Sequence, residues 1–356
     1  MNNIPSLRSR SDNLKSKTCP ELYRRIENLK RVGIFAFALT FTLGGAVATA
    51  QQTGKVPRIG YLDVSTAAGS AIHLDAFRQE LNKLGWIEGK NITIEYRFAE
   101  QKLERAPELA AELVRLKVGL IVATGRAPGL ATKSATTSIP IVMTSFPDPV
   151  AAGMIASLAR PGGNVTGLSN LAPELNSKRL DVLKDAVPNL ARVGYLQQAG
   201  SPVPGDLPLK DLRIAAPVLK LKLDVVETEA DAKGLESAFK TAKQKRVGAI
   251  MIGGGRTFVA ERKRIVELAV KYRLPVIYPQ KEFVDEGGLM SYGADSTDLY
   301  RRAAVYVDKI LKGAKPADLP VQQATKFEFI INLKAAKQID LTIPVRVLER
   351  ANQVIK

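Results

Sequence analysis

Thr124-Gly125-Arg126-Ala127-Pro128 puts a hydroxyl, a flexible glycine and backbone amides where an apolar run gives way to a helix. Amides that open a helix lie at its positive end, which suits a carboxylate. Thr124, Gly125, Arg126 and Ala127 are therefore read as ligand contacts. Gly253-Gly254-Gly255-Arg256 follows another apolar run and adds a guanidinium, a group that prefers a carboxylate or phosphate. The stretch lacks the Gly-Lys-Ser/Thr ending of a P-loop and the spacing of G-x-G-x-x-G, which sets nucleotide chemistry aside. Gly255 and Arg256 either touch a ligand or form a tight turn. In Phe146-Pro147-Asp148-Pro149 the Asp148 carboxylate can cap a turn or accept from a ligand amine. Asp295 occupies a similar place before a helix, where capping satisfies it, and Ser65 lies in the loop after the first apolar run. Tyr195, Tyr278, Tyr292 and Phe146 fall at the ends of apolar runs, where rings can sandwich a planar ligand or pack the rim.

The residue types needed for catalysis are scarce. His73 is the only histidine, which leaves no second candidate for a Ser-His-Asp triad and no histidine metal cluster. Cys19 is the only cysteine and lies in the N-terminal segment, so thiol catalysis and zinc–thiolate sites are not expected beyond it. No spacing suggests paired carboxylates. The expectation is a site that binds and does not react, without metal or cofactor.

The loops that carry these residues punctuate a regular alternation. Arg58–Leu62 reads as a buried strand, and Leu74, Phe77, Leu81 and Leu84 then recur at helical spacing up to Gly85. Asn91–Arg97, Leu120–Ala123, Pro140–Met143 and Val165–Leu168 continue as strands, separated by helical patterns that include Val150–Leu158. The series then restarts. Arg192-Val193-Gly194-Tyr195-Leu196 repeats the grammar of Arg58-Ile59-Gly60-Tyr61-Leu62, and Leu223–Val226, Ala249–Ile252 and Pro275–Tyr278 follow between helices. Such alternation predicts an α/β fold of two doubly wound, Rossmann-like lobes built on parallel sheets. Ligands of such sheets sit outside the carboxyl ends of the strands, where these loops lie.

Length and charge are consistent with that picture. With 356 residues, 46% of them hydrophobic, the chain can fill two cores. Its net charge is +17, but Lys and Arg alternate with acids, as in Glu261-Arg262-Lys263-Arg264 before Glu267. A solvated basic surface fits better than a nucleic-acid footprint. Arg24, Arg25, Lys30 and Arg31 precede the uncharged run Val32–Ala50, which ends in Ala48-Thr49-Ala50. This is the order of an export signal over residues 1–50, with cleavage before Gln51 and an uncleaved anchor as the alternative. Export would place the chain in the periplasm.

Across the region after Gln51 the chain resembles the ABC transporter substrate-binding family with the type I periplasmic-binding fold, including tryptophan- and tyrosine-type binders. The resemblance is carried by Phe77-Arg78-Gln79-Glu80-Leu81, Leu84-Gly85-Trp86-Ile87-Glu88-Gly89-Lys90-Asn91-Ile92 and Asp148-Pro149-Val150. It is carried also by Leu158-Ala159-Arg160-Pro161-Gly162-Gly163-Asn164-Val165-Thr166-Gly167-Leu168 and Gly287-Gly288-Leu289-Met290-Ser291-Tyr292-Gly293. It implies a Venus-flytrap clamp with a three-crossover hinge. The N-terminal lobe would hold 56–168 plus 290–314, and the C-terminal lobe 169–289 plus 315–356. It implies a small-molecule solute, an ABC permease and ATPase complex as partners, a monomer, and no chemistry on the ligand. Relatives tend to carry an acidic residue after the strand equivalent to Ala249–Ile252, where this chain has Gly253–Arg256; that departure favours an acidic or aromatic-acid solute over an amino acid. A ligand-sensing module for a membrane receptor kinase, or an exported α/β enzyme, are the other readings.

Overall fold

The computed structural model describes residues 56–199 and 207–356. The predicted export signal and Cys19 lie outside the described residues. The first series comprises β1 (Arg58–Asp63), α1 (Ala67–Lys83), β2 (Thr93–Phe98), α2 (Ala106–Arg115), β3 (Leu120–Thr124), α3 (Arg126–Ala135), β4 (Ile141–Phe146) and β5 (Val165–Ser169). The second opens with α4 (Ala172–Ala186), β6 (Arg192–Gln198), α5 (Leu207–Val218), β7 (Lys222–Thr228), α6 (Ala232–Gln244) and β8 (Ala249–Ile252). It continues through α7 (Arg256–Ala260), α8 (Arg262–Lys271), β9 (Val276–Tyr278), α9 (Glu282–Asp285) and β10 (Met290–Ala294). The chain ends with α10 (Ser296–Leu311), β11 (Gln322–Gln323), β12 (Phe327–Asn332), α11 (Leu333–Gln338), α12 (Val345–Leu348) and β13 (Gln353–Ile355).

These elements form two sheets, ordered β11-β5-β4-β3-β1-β2 and β13-β12-β10-β9-β8-β6-β7. Every pairing in the first is parallel, and in the second the one antiparallel pairing is β12 with β10, so β12 and its parallel partner β13 run against the other strands. The strands earn this place by composition. β3 and β4 are buried along their whole length and apolar up to Thr124 and Thr144 at their carboxyl ends, as a sheet covered by helices on each side requires. Phe77, Leu81, Tyr300 and Ala303 of α1 and α10 cover one face of the first sheet, and Leu109, Ala110 and Leu113 of α2 the other. In the second sheet α4 and α5 cover one face, and α6 and α8 the other.

The chain passes between the lobes after β5, after β10 and after β11. The crossings fall later than the expected 290 and 315. β10 stays in the second sheet because it pairs with β9 on one side and β12 on the other. β11 returns to the first sheet, parallel to β5, and Val321 packs with Met143 and Phe146. The lobes are therefore 56–169 with 296–323, and 172–294 with 327–356. The expected helix over Val150–Leu158 is instead a run of turns, broken by Gly153 at φ 68° and closed by Pro161 with Gly162 and Gly163 at φ 71° and 64°.

Within each lobe the strands run in the order second, first, third, fourth, fifth. The chain reverses direction across the sheet between β1 and β3 and again between β6 and β8, and crevices open at those switch points. Gly167 shows how closely strands meet beneath the first crevice. It has φ 130°, and a Cβ there would lie 2.0 Å from the Met143 carbonyl oxygen. Gly167→Ala should therefore cost about 3 kcal/mol, read as a lower urea midpoint at unchanged slope. Gly254→Ala, which meets nothing within 4 Å, should stay within about 0.5 kcal/mol.

Candidate functional site: a cleft between two lobes

The carboxyl ends of β1, β3 and β4 face those of β6 and β8 across a cavity of about 360 Å³, within the size range of small-molecule sites. Thr124, Gly125, Arg126 and Ala127 form part of the first lobe's wall, with Ser145 and Asp148 beside them. Gly125 has φ 83°, which lets β3 turn sharply into α3 and present the helix's first amides to the cavity. The Thr124 hydroxyl donates to the Leu62 carbonyl at 3.2 Å and pins the base of this turn to β1. At the end of β4 the register slips between Met143 and Phe146, and Ser145 and Asp148 take left-handed backbone conformations at φ 54° and 30°. Asn170 donates to the Ser145 carbonyl and hydroxyl at 3.1 and 3.2 Å, holding this irregular edge in place. Burial pushes the Arg126 guanidinium down, and the Asp148 charge works against that shift.

The second lobe contributes Asn176 and Arg179 of α4, Tyr195, Gln197 and Gln198 of β6, and the loop Gly253–Thr257. Gly253 has no room for a side chain, because a Cβ would sit 2.8 Å from the Leu196 carbonyl and 2.9 Å from the Tyr195 hydroxyl. The Thr257 hydroxyl donates to Gln198 Oε1, which ties the start of α7 to β6.

Beside the cavity the two lobes meet through buried charges. Arg256 reaches across from α7 and forks onto Asp63, with Nε 3.3 Å from Oδ1 and Nη2 2.9 Å from Oδ2. Asp63 is fully buried and also accepts from the Ser65 amide at 2.9 Å and the Ser70 hydroxyl at 2.7 Å. Burial alone would raise the Asp63 carboxyl, but the charge and hydrogen bonds of Arg256 outweigh it and hold the group below its usual range. Burial likewise opposes the Arg256 charge, yet Asp63 carries that guanidinium above its ordinary value. Arg256 Nη1 lies 3.2 Å from His73 Nδ1, and His73 Nε2 lies 2.9 Å from Glu282 Oε1 on α9. An arginine can only donate, so Nδ1 is the acceptor in that contact, and Nε2 faces the Glu282 carboxylate. Burial works to raise Glu282, while His73 and Arg256 bring it below the usual range. The His73 ring lies 4.7 Å from the Tyr300 ring, centroid to centroid, on the first-lobe side. Both ring nitrogens are thus committed to Arg256 and Glu282, and Ser70 is committed to Asp63. No Ser–His pair of the catalytic type is present here.

The structure brings Thr124, Gly125, Arg126, Ala127, Asp148, Tyr195, Gly255 and Arg256 to the cavity wall. The Arg256 charge, expected to face an anion or a turn, is matched by Asp63. The Asp148 side chain accepts from the Ala151 amide at 3.0 Å, the capping alternative. The other expected residues go elsewhere. Tyr278 is fully buried and stacks on Phe283 at 4.7 Å in the second lobe's core. Phe146 is fully buried against Gly129, where a Cβ would come within 2.7 Å of its ring. Tyr292 packs edge-on against Phe329 at 5.9 Å. Asp295 caps α10 by accepting from the Asp298 amide at 3.0 Å, and Ser65 is buried behind Asp63. The sequence reading missed Asp63, His73 and Glu282 of the interlobe network, and Asn170, Asn176 and Arg179 of the cavity. Asn176 and Arg179 did leave a signal. They interrupt the stripe that Leu180, Leu183 and Ala186 continue on the buried face of α4.

A cavity shared by two doubly wound lobes and lined by polar groups from both is the arrangement of a clamp-type small-molecule binding protein. The model of the ABC transporter substrate binding protein family matches residues 67–355, and the chain belongs to that family. It is 27% identical over 265 residues to a tyrosine-binding protein of Clostridioides difficile, covering 74% of this chain and 75% of that one. A conserved domain protein of Vibrio cholerae superposes with a TM-score of 0.76 at 27% identity, covering 84% of this chain and all of that one. An ABC domain of Streptococcus pneumoniae in complex with L-Trp superposes at 0.74 with 25% identity, covering 83% and 100%. The fold is the type I periplasmic-binding fold of these neighbours, and the family is one of substrate-binding proteins.

The interlobe ion pair makes two predictions. Asp63→Asn strands a buried guanidinium, a change that costs about 3–5 kcal/mol, whereas replacing both partners with apolar residues is close to neutral. Because the pair spans two lobes, the single variant can relieve that cost by opening. Small-angle scattering should show a larger radius of gyration for Asp63→Asn than for the wild type, with the Asp63→Leu/Arg256→Met double variant staying compact. Asp63 and Glu282 both lie below their unfolded values of about 3.9 and 4.3. Their contribution is therefore complete above about pH 5 and is lost as pH falls through and below that range. Urea midpoints should drop more steeply below about pH 4.5 in the wild type than in the double variant.

Proposed function

We propose that this chain is the extracytoplasmic solute-binding component of an ABC importer, exported to the periplasm and acting as a monomer. It holds one small solute bearing a carboxylate, of the amino-acid or aromatic-acid class, and presents the closed form to a permease and ATPase complex. The observation that carries the reading is that both lobes supply the wall of one cavity, and a buried ion pair bridges the lobes beside it. Binding energy in such a clamp is realised when the lobes close, since only then do both walls reach the ligand. Positive groups on both sides of the cavity, Arg126 with the α3 amides on one wall and Arg179 on the other, suit a carboxylate-bearing solute, and the apolar body of Tyr195 suits a ring. The tyrosine-binding relative and the neighbour in complex with L-Trp support an aromatic solute.

Thermal unfolding of the purified chain against amino acids, aromatic acids, purines and sugars tests this. A cognate solute at about a hundred times its dissociation constant adds roughly 2.7 kcal/mol, and the hit should come from the aromatic or acidic members. Turnover of any panel compound without a thermal shift would sink the reading.

A further inference from the structure

Arg179 is 2% exposed, lies on the cavity wall, and carries a charge that no carboxylate among the described residues matches. Its Nε donates to the Tyr292 carbonyl at 2.8 Å and its Nη1 to Asn176 Oδ1. Both acceptors are neutral, and a guanidinium has five N–H donors to place. Burial pushes it down to about 10, which leaves it charged at neutral pH. The contrast with Arg256 is informative. That guanidinium, equally removed from water, receives a bidentate carboxylate from the other lobe. Burying a charge without a counter-charge is costly, and the chain accepts that cost at a cavity wall. The acids that line or border the cavity are engaged elsewhere: Asp63 by Arg256, Asp148 by the Ala151 amide, and Glu227 by Gln197 at 2.9 Å.

We propose that Arg179 is the anion anchor of the cleft, and that the solute's carboxylate completes its coordination from inside the second lobe. The anchor rests on the binding reading above and names the group that reads the ligand. Tyr292 and Asn176 fix the plane of the guanidinium, so the donors left over are held in a constant orientation when a carboxylate arrives. Tyr292 lies two residues before the crossing into α10. An anion on Arg179 therefore sits next to the hinge and within the lobe opposite the α3 amides. A solute with a carboxylate at this end and an apolar body toward Tyr195 fits the cavity.

The competing account is that Arg179 is a structural staple between α4 and β10. Melting temperatures distinguish the two when measured with 3-phenylpropionate, with its neutral amide, and with sodium acetate against sodium chloride at equal ionic strength. In the wild type both carboxylates should raise the melting temperature and the amide should not. In Arg179→Met the carboxylate effect should vanish, with affinity at least about 30-fold weaker, while the melting temperature without additive stays within about 2 °C of wild type. Carboxylates that leave the wild type unmoved, or act equally on Arg179→Met, overturn the anchor. So does a large loss of stability in Arg179→Met without additive, which is the staple's signature. If a sugar or purine stabilises while carboxylates are silent, the anchor and the carboxylate class fall, and only the interlobe binding of a solute stands. If every compound is silent, both fall.

Discussion

The arrangement of this molecule depends on a buried pair of opposite charges, Asp63 and Arg256, contributed by different lobes and separated by 193 residues in sequence. Neither charge is tolerable in a dry interior without the other, since the desolvation of each is several kcal/mol. With the lobes apart, water can solvate both, and with the lobes together each becomes the other's solvent. The pair is therefore a condition on closure more than a source of fold stability. Ser70 and the Ser65 amide complete the carboxylate's hydrogen bonds, and His73 and Glu282 extend the network across the same interface. Arg256 and Glu282 face the two ring nitrogens of His73 from opposite sides.

The rest of the fold places these groups at one edge. Two successive runs of strand and helix give two sheets with the same strand order, and each brings its strand ends to its own switch point. The second crossing brings α10 and β11 back beside the first sheet, which puts Tyr300 of α10 against His73 of α1. Backbone positions at the cavity edge carry strain that regular strands avoid, as at Ser145 and Asp148. The bulge in β4 that produces them also turns the edge of the first lobe toward the cavity.

The fold and the loops at the strand ends were legible in the sequence, because period and turn chemistry are local properties. Thr124–Ala127 and Gly253–Arg256 announce themselves as strand-to-helix turns, and such turns line the cleft of any sheet of this class. The aromatic residues were not legible by the same rule. A ring at the end of a strand points to the cleft or into a helix layer according to strand alternation and twist. Tyr195 reaches the cavity wall, whereas Tyr278 and Phe146 fill cores. The lobe boundaries erred because β10 and β11 are assigned by which sheet they pair with, a non-local fact. The pairing of Asp63 with Arg256 is non-local in the same sense.

Position also explains why α4 was overlooked. The functional groups of an α/β sheet are sought on loops, yet α4 follows the first crossing directly, and its opening turns border the cavity. Asn176 and Arg179 are one turn apart and share the inward face with leucines. On an ordinary amphipathic helix that face is apolar, so a buried arginine there needs a reason that packing does not supply. Two arginines at this cleft thus show the two ways a protein can accommodate a buried guanidinium. Arg256 is neutralised by the chain itself, which fixes the lobes to each other. Arg179 is oriented by neutral oxygens and keeps its charge directed at the space where a solute would lie.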